Sequence, residues 1–394
     1  MLPKENESAS QTVDYWKSYR EVNFPVAQKW SYFDHAAVSP LSLPAQQAIQ
    51  QWLRQATEDG DAAWPLWSAQ IEEIRCKASE LFRADSSELA FIPNTTFGIS
   101  LVAEGLDWNA GDNIVIPAGE FPSNLYPWMQ LTDLGVELRI VPTGERGEIR
   151  PEEIDELCDS NTRLVSCSWV GYGKGFRINP QELAEVAHAN GALFFLDAIQ
   201  GLGVFPLDVK KSDIDFFSAD GHKWLMGPEG AGLFYCKAGL LKELRPSVVG
   251  WNSMDNPHDF GSTSFQLKNT AGRFEPGTHN MSGILGMGGS LDLIAETGLT
   301  PESSPIAERV LVITDRIETM LCGKGFQCHS CREADHKSGI ISFSKKGTDP
   351  AALRSELLKH GVVTSVRNQL LRLSPHAYAC DQDLEKMVEV LSRF

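Results

Sequence analysis

Along most of the chain, short and predominantly apolar runs bounded by turn residues alternate with longer stretches in which apolar positions recur every three or four residues. The short runs are Asn113 to Ile116, Val136 to Val141, Arg163 to Ser168, Ala192 to Leu196, Phe216 to Ser218 and Gly232 to Cys236. A strand that is apolar on both faces needs cover on both, so the alternation predicts a mostly parallel sheet between layers of helix. Ahead of it, Tyr32-Phe33-Asp34-His35-Ala36-Ala37 reads as a short strand running into the turn Ser39-Pro40, and a helical pattern follows from Pro44 to Glu58. Beyond the loop from Pro246 to Gly277, a stretch rich in small residues predicts a helix over Met281 to Thr297. The tail then reads as a helix from Ser304, a strand (Gly339 to Ser344), a helix (Pro350 to His360), two strands (Val362 to Val366 and Leu370 to Leu373) and a last helix from Asp381.

Length turns this pattern into domains. At 394 residues the chain is longer than a single core usually supports. The predicted division is an N-terminal segment, 1–30, packing on the small domain; a large domain over 31–280; and a linker helix with a small C-terminal α/β domain over 281–394. Hydrophobic residues at 42% and charged residues at 22% fit a globular fold. A formal charge of -17 leaves no basic surplus to neutralise phosphates, so neither nucleic acid nor a membrane is an expected partner. The polar N-terminus and the lack of a long apolar run predict a cytoplasmic location. The 8 cysteines are scattered, unlike a disulfide framework. Cys328-x-x-Cys331, with Cys322 upstream and His329 and His336 nearby, lacks a fourth ligand at metal-site spacing, and no metal is expected.

The chemistry concentrates in two segments. Phe195-Leu196-Asp197-Ala198-Ile199-Gln200 sets an acid at the end of an apolar strand, where open α/β sheets bind their ligands. Ser218-Ala219-Asp220-Gly221-His222-Lys223-Trp224 follows, and its lysine suits a Schiff base if burial or a neighbouring cation lowers its pKa. Alone, such an acid is often a helix cap and such a lysine a solvated one. Together they suit pyridoxal phosphate, whose pyridinium nitrogen an acid keeps protonated so that the ring acts as an electron sink. Pro93-Asn94-Thr95-Thr96-Phe97-Gly98 offers hydroxyls and backbone amides at a helix start as a phosphate cradle, or merely a helix cap. Phe121 is the candidate aromatic platform for a flat ring, with ordinary core packing as the alternative.

Six ordered motifs carry a resemblance over nearly the whole chain: Thr95-Thr96, Asp197-x-x-Gln200, Gly221-His222-Lys223, Gly227-Pro228-Glu229-Gly230, Arg273-Phe274-Glu275-x-Gly277-Thr278 and Arg372-Leu373-Ser374-Pro375-His376-x-Tyr378. The chain resembles the fold-type I pyridoxal phosphate enzymes of the class V aminotransferase group, which includes cysteine desulfurases, isopenicillin N epimerase-like proteins and kynureninases. The resemblance implies a large cofactor-binding domain with a mostly parallel seven-stranded sheet and a small C-terminal α/β domain. It implies Lys223 as the Schiff-base lysine, Asp197 on the ring nitrogen, Gln200 on the ring hydroxyl oxygen, and Thr95, Thr96 and His222 on the phosphate. It further implies a homodimer in which Thr278 reaches the neighbouring site, and Arg372 as the grip on the α-carboxylate of an amino-acid substrate. His35, Ala36 and Asn124 are further candidates for contact with the substrate, and Trp251 and His376 lie on segments expected to read its side chain.

The pattern also departs from that of the desulfurases. Val363 to Arg372 has no cysteine and no room for the loop that carries their catalytic cysteine, which speaks against persulfide formation there. Phe121 stands where they have a stacking histidine, Tyr172 where an asparagine lies near the ring oxygen, and Asp220 where a serine binds phosphate. A carboxylate facing a phosphate dianion is repulsive, so Asp220 is expected to point elsewhere. Arg367 is expected on the surface, with recognition of a second, acidic group of the substrate as the alternative. An α/β nucleotide-binding oxidoreductase is disfavoured because Gly201-Leu202-Gly203 lacks the third glycine and the opening helix of a dinucleotide site. The expected chemistry is Schiff-base formation with an amino acid and removal of its α-proton, with transamination placed first and β-elimination or epimerisation as alternatives.

Overall fold

The computed structural model of the protein describes residues 9–394. Helix α1 (Ala9–Asn23), the two-residue strand β1 (Ser31–Tyr32) and helices α2 (Leu43–Glu58) and α3 (Trp64–Phe82) precede the main sheet. That sheet is built from β2 (Leu89–Ile92), β3 (Asn113–Pro117), β4 (Glu137–Val141), β5 (Thr162–Ser168), β6 (Leu193–Asp197), β7 (Phe216–Asp220) and β8 (Gly232–Cys236). Its seven strands lie in the order β2-β8-β7-β6-β5-β3-β4. Neighbours run parallel except where β8 pairs antiparallel with β2 and β7. The apolar runs of the sequence account for six of these strands. The seventh, β2, is only four residues long and is not among those runs.

Alternate side chains of each strand feed different cores, as the pleat requires. Leu164, Phe195, Phe216 and Phe234 pack with Ile99 and Val102 of α4 (Thr95–Gly105) on one face. The short helices α5 (Tyr126–Met129) and α6 (Pro151–Asp155) lie near the β3–β4 edge. Val165, Phe194, Leu196 and Phe217 pack on the other face with α3, α7 (Pro180–Ala189) and α8 (Met281–Glu296). Burying a side chain of this size stabilises the fold by roughly 1.5–3 kcal/mol. Helix α8 is rich in small residues because it is wedged against α2 and α3. A Cβ on Gly288 would lie 2.4 Å from Ile74 Cδ1, and one on Gly289 2.6 Å from the Pro44 carbonyl oxygen.

Helix α9 (Pro305–Cys322) starts at Ser304, whose hydroxyl accepts from Ala307 N at 3.1 Å, an N-cap of the usual kind. It leads into β9 (Gln327–Cys328), β10 (Ile341–Ser344), α10 (Pro350–Lys359), β11 (Val362–Val363), β12 (Ser365–Arg367), β13 (Leu370–Leu373) and α11 (Asp381–Leu391). The antiparallel sheet β12-β13-β10-β9 and its helices enclose a third core containing Ile317, Phe343, Leu357, Leu371 and Leu384. Strands β12 and β13 are joined by the two residues Asn368 and Gln369, both left-handed with φ of 50° and 60°, as a tight type I′ hairpin demands.

The N-terminal residues tie into this C-terminal unit. Strand β1 pairs in parallel with β11, and Phe33 belongs to the third core. Arg20 of α1 grips Asp383 with both guanidinium nitrogens, at 2.6 and 3.2 Å. The expected domain boundary at residue 31 therefore falls within a stretch that pairs with C-terminal strands. Among the described residues, no helix is long and apolar enough to cross a membrane.

Candidate active site

The parallel strands β5, β6 and β7 end side by side, and their last residues, Ser168, Asp197 and Asp220, line one cavity of about 290 Å³. This is the carboxyl edge of the sheet, where the backbone stops pairing and loops diverge to leave a crevice. Lys223 enters it from the turn after β7. Its amine has no hydrogen-bond partner among the described residues and lies 5.6 Å from the centre of the Phe121 ring. Burial lowers the lysine to about 8; Asp197 pulls the other way, while Arg372 adds to the lowering. Burial raises Asp197 to about 6, against a 3.1 Å hydrogen bond from Ile199 N and the charge of Lys223. A buried amine and a buried carboxyl thus share one chamber without a direct bond.

Helix α4 points its first turn at the opposite end. Asn94 caps it by accepting from Phe97 N at 2.9 Å, and Thr95 and Thr96 occupy the first two helical positions, where amides lack intrahelical partners. Gly98 allows the close approach of this helix to β7, because a Cβ there would sit 2.3 Å from Ser218 Oγ. Ser218 in turn donates to the Thr95 carbonyl at 3.0 Å, and Thr96 to Ser123 Oγ at 2.7 Å. His222 completes this end, its Nδ1 2.9 Å from Asp220 Oδ2.

On the remaining wall, Arg372 of β13 is buried and held by three contacts. Its Nε donates to Ser365 Oγ at 3.1 Å, Nη1 to the Tyr172 carbonyl at 2.8 Å and Nη2 to Asp34 Oδ1 at 3.3 Å. A guanidinium has five N–H groups, so one on each terminal nitrogen is left for a planar, bidentate acceptor. Gln200 lines the chamber, donating to the Ala36 carbonyl at 3.1 Å and accepting from Trp224 Nε1 at 2.9 Å. One of its amide hydrogens stays available.

Of the residues singled out in the sequence, Lys223, Asp197, Thr95, Thr96, Phe121, Tyr172, Gln200, His222, Arg372 and Ala36 line this cavity. Three do not. His35 is fully buried behind the wall, where Tyr378 and His376 enclose it, and burial holds it well below the usual imidazole range. Asn124 is also fully buried; its oxygen accepts from Trp128 Nε1 at 3.0 Å and Ser166 Oγ at 2.6 Å, which makes it a brace beneath the site. Thr278 is exposed and lines a separate depression with Phe91, Phe97 and His279. His376 is buried and lowered to about 3 by that burial, and Trp251 lies outside the cavity beside Phe260.

Two expectations are reversed. Arg367 is half-buried and lines the cavity instead of the outer surface, because the short β12–β13 turn keeps it beside Arg372. Asp220 also lines the cavity instead of pointing away. Sequence reasoning missed Asn94, Ser123, Ser168 and Asp34. It also missed Glu120, which accepts from Ser168 N at 2.7 Å and which burial raises to about 7, with Ser168 opposing and Asp197 adding to the shift. Polar residues of this kind carry no local signal apart from the fold that gathers them.

The chamber fits pyridoxal phosphate. A flat ring has the Phe121 face beside Lys223, an anion has the first turn of α4, and Asp197 supplies an acid buried too deeply for water to serve it. The family model for aminotransferase class-V matches residues 31–370. A probable cysteine desulfurase of Methanothermobacter thermautotrophicus is 30% identical, over 83% of this chain and 81% of its own. Among solved structures, the apo form of a cysteine desulfurase from Thermococcus onnurineus superposes with a TM-score of 0.87 at 24% identity, over 95% of this chain and 97% of that one. The cystine C-S lyase C-DES, in complex with its reaction product cysteine persulfide, reaches a TM-score of 0.87 at 21% identity, over 94% and 99%. These likenesses overturn transamination as the first reading, since the relatives are named for desulfurase activity and not for amino-group transfer. The chain belongs to the class-V aminotransferase family, folds as its pyridoxal phosphate enzymes do, and takes that cofactor.

Proposed function

We propose that the protein cleaves a carbon–sulfur bond of a sulfur-containing amino acid, such as L-cysteine or L-cystine, and releases the sulfur without storing it on a cysteine of its own. The carrying observation is that Lys223 and Arg372 share a cavity that none of the protein's cysteines lines. The relatives named cysteine desulfurases support a sulfur amino acid as substrate. The missing thiol favours β-elimination.

Arg372 receives the α-carboxylate on its two remaining N–H groups, a planar match that a lysine does not reproduce. Asp197, at about 6, is ionised at neutral pH and pairs with a protonated ring nitrogen. The bound cofactor supplies an electron sink for the carbon that loses its proton. Lys223, at about 8, is neutral in a useful fraction of molecules and takes the α-proton on Nζ. The Cβ–S bond then breaks with its electron pair leaving on sulfur, and the ammonium of Lys223 returns a proton to it. Phe121 and Tyr172, whose rings meet edge to face at 5.2 Å, cover the chamber against water.

A second copy of the chain completes this reading. Thr278 faces outward from its own cavity, and the family resemblance supports a homodimer in which it approaches the phosphate end of its partner.

The test is to incubate the purified holoenzyme with L-cystine and with L-cysteine. Pyruvate and ammonia in equal amounts, with sulfide or a persulfide in solution, is the expected result. Alanine as the carbon product, or recovery of the amino acid unchanged or inverted, overturns the proposal.

A further inference from the structure

Strand β7 ends in an acid at a place that calls for a donor. The backbone N–H of Asp220 donates to Thr95 Oγ1 at 2.9 Å, which pins the residue beside the first turn of α4. Its carboxyl lines the cavity together with Thr95, Thr96 and His222, the groups suited to an anion. Oδ2 lies 2.9 Å from His222 Nδ1, while Oδ1 is cut off from solvent and has no hydrogen-bond partner. A buried carboxylate oxygen without a donor is costly, and a phosphate dianion brought to this end of the cavity adds repulsion with the carboxylate as a whole.

The elements packed against Asp220 supply no donor to Oδ1. Besides His222, the charged groups facing Asp220 are Lys223, Asp197 from β6, and Arg367 and Arg372 across the cavity. Helix α4 offers Thr95 and Thr96, and β8 offers Gly232, so neither packed element brings a cation. Lys223 and Arg372 are already engaged in the reaction described above.

We infer that the phosphate of the cofactor binds here with one proton shared between it and the Asp220 carboxyl, so that the site takes up a proton when it loads. The proton comes from solvent above about pH 6, where a free phosphate monoester has lost its second proton. Loading therefore weakens, relative to a site without this acid, as pH rises. The inference rests on the phosphate lying at the first turn of α4, and not on which bond of the substrate is broken.

The decisive measurement is the phosphorus resonance of the bound cofactor in the wild-type holoenzyme between pH 6.5 and 8.5. It is expected to stay at the position of a monoanionic ester at pH 8, where free cofactor is a dianion. In Asp220→Ser, which supplies a donor hydroxyl instead, it is expected at the dianion position. In parallel, the wild-type to D220S ratio of cofactor dissociation constants is expected to rise about tenfold per pH unit above about pH 6, one proton's worth of linkage. Taking the ratio reduces the contribution of the Lys223 titration, which the two proteins share except for the pull of the Asp220 charge on that amine. A wild-type resonance at the dianion position throughout, or a ratio that does not change with pH, overturns the inference, and the wild-type spectrum decides even if the variant folds poorly. A Thr96→Ala variant that binds the cofactor as wild type does overturns it by another route, because the phosphate is then elsewhere.

Discussion

Lys223 owes its lowered pKa to where it is buried. An amine held at about 8 by desolvation is neutral at a pH where an exposed lysine is almost wholly charged. The rate at which cofactor-free protein captures pyridoxal phosphate is therefore expected to climb with pH and level off above about 8; a rise centred near 10 would mean that burial does not act on the amine. Lys223→Ala is expected to lose both borohydride labelling and turnover, the latter by roughly 10²–10⁴-fold, the usual contribution of a positioned base. Arg372→Lys keeps the charge but not the fork, and kcat/KM is expected to fall about 10- to 100-fold, corresponding to about 1.5–3 kcal/mol for hydrogen bonds to a charged group. Asp34→Asn, which loosens the guanidinium without removing it, is expected to give a smaller loss in the same direction. Steady-state kinetics on the three proteins check that ordering.

Elements act here by bringing such residues to one place, and glycine and glutamate set how closely they approach. Gly98→Ala forces a methyl onto Ser218 and pushes α4 off β7. A loss of about 1–3 kcal/mol of stability and weaker cofactor binding are expected, read by denaturant unfolding and by titration. Glu275 matters for a different reason. It bridges Arg75 of α3 at 2.6 and 3.0 Å, His279 at 2.7 Å and the amide of Phe91 in β2, also at 2.7 Å. Burial alone would raise the carboxyl, but the charge of Arg75 and the hydrogen bonds from His279 and Arg75 outweigh it and lower it from 4.5 to about 2, so its contribution is complete above pH 4.5 and is lost as pH falls through 2. Glu275→Gln is expected to cost about 3–5 kcal/mol at neutral pH and to flatten the acid limb of stability between pH 4.5 and 2, as measured by unfolding across that range.

The Arg-Phe-Glu motif thus proves to be an anchor for a loop, something its sequence does not distinguish from chemistry. Most strands were legible because buried parallel strands are apolar throughout. So were Asp197 and Lys223, which sit at strand ends within recognisable motifs. Asp34 and Ser168 were not, because their roles depend on chain segments hundreds of residues or several strands away. His35 and Asn124 sit in the right motifs but turn their side chains inward, and no pattern of residue types records that.

At the scale of the whole molecule, the cavity draws on the start, the middle and the end of the chain: Ala36, Asp197 and Arg372 meet although the sequence holds them far apart. Loading the site should accordingly raise the melting temperature of the entire fold, by mass action on the native state alone. If Thr278 serves the partner's phosphate, mixed dimers of Lys223→Ala and Thr278→Ala chains contain one site that escapes both lesions. Unfolding and refolding the two inactive proteins together is expected to restore about a quarter of wild-type activity, half the dimers being mixed with one of two sites intact, while refolding each alone restores none. An activity equal to the sum of the two separate proteins would place Thr278 outside the neighbouring site. The two-residue turn between β12 and β13 bears on supply as well as on shape. A protein with a long arm at that position has a tether on which cargo travels, and delivery then saturates with whichever partner docks best. Asn368 and Gln369 leave nothing to extend, so on the proposed reaction the sulfur product is expected to leave this chamber by diffusion. Its destination is set by the concentration and nucleophilicity of whatever acceptors the surroundings hold, and dilution lowers the yield at every acceptor alike.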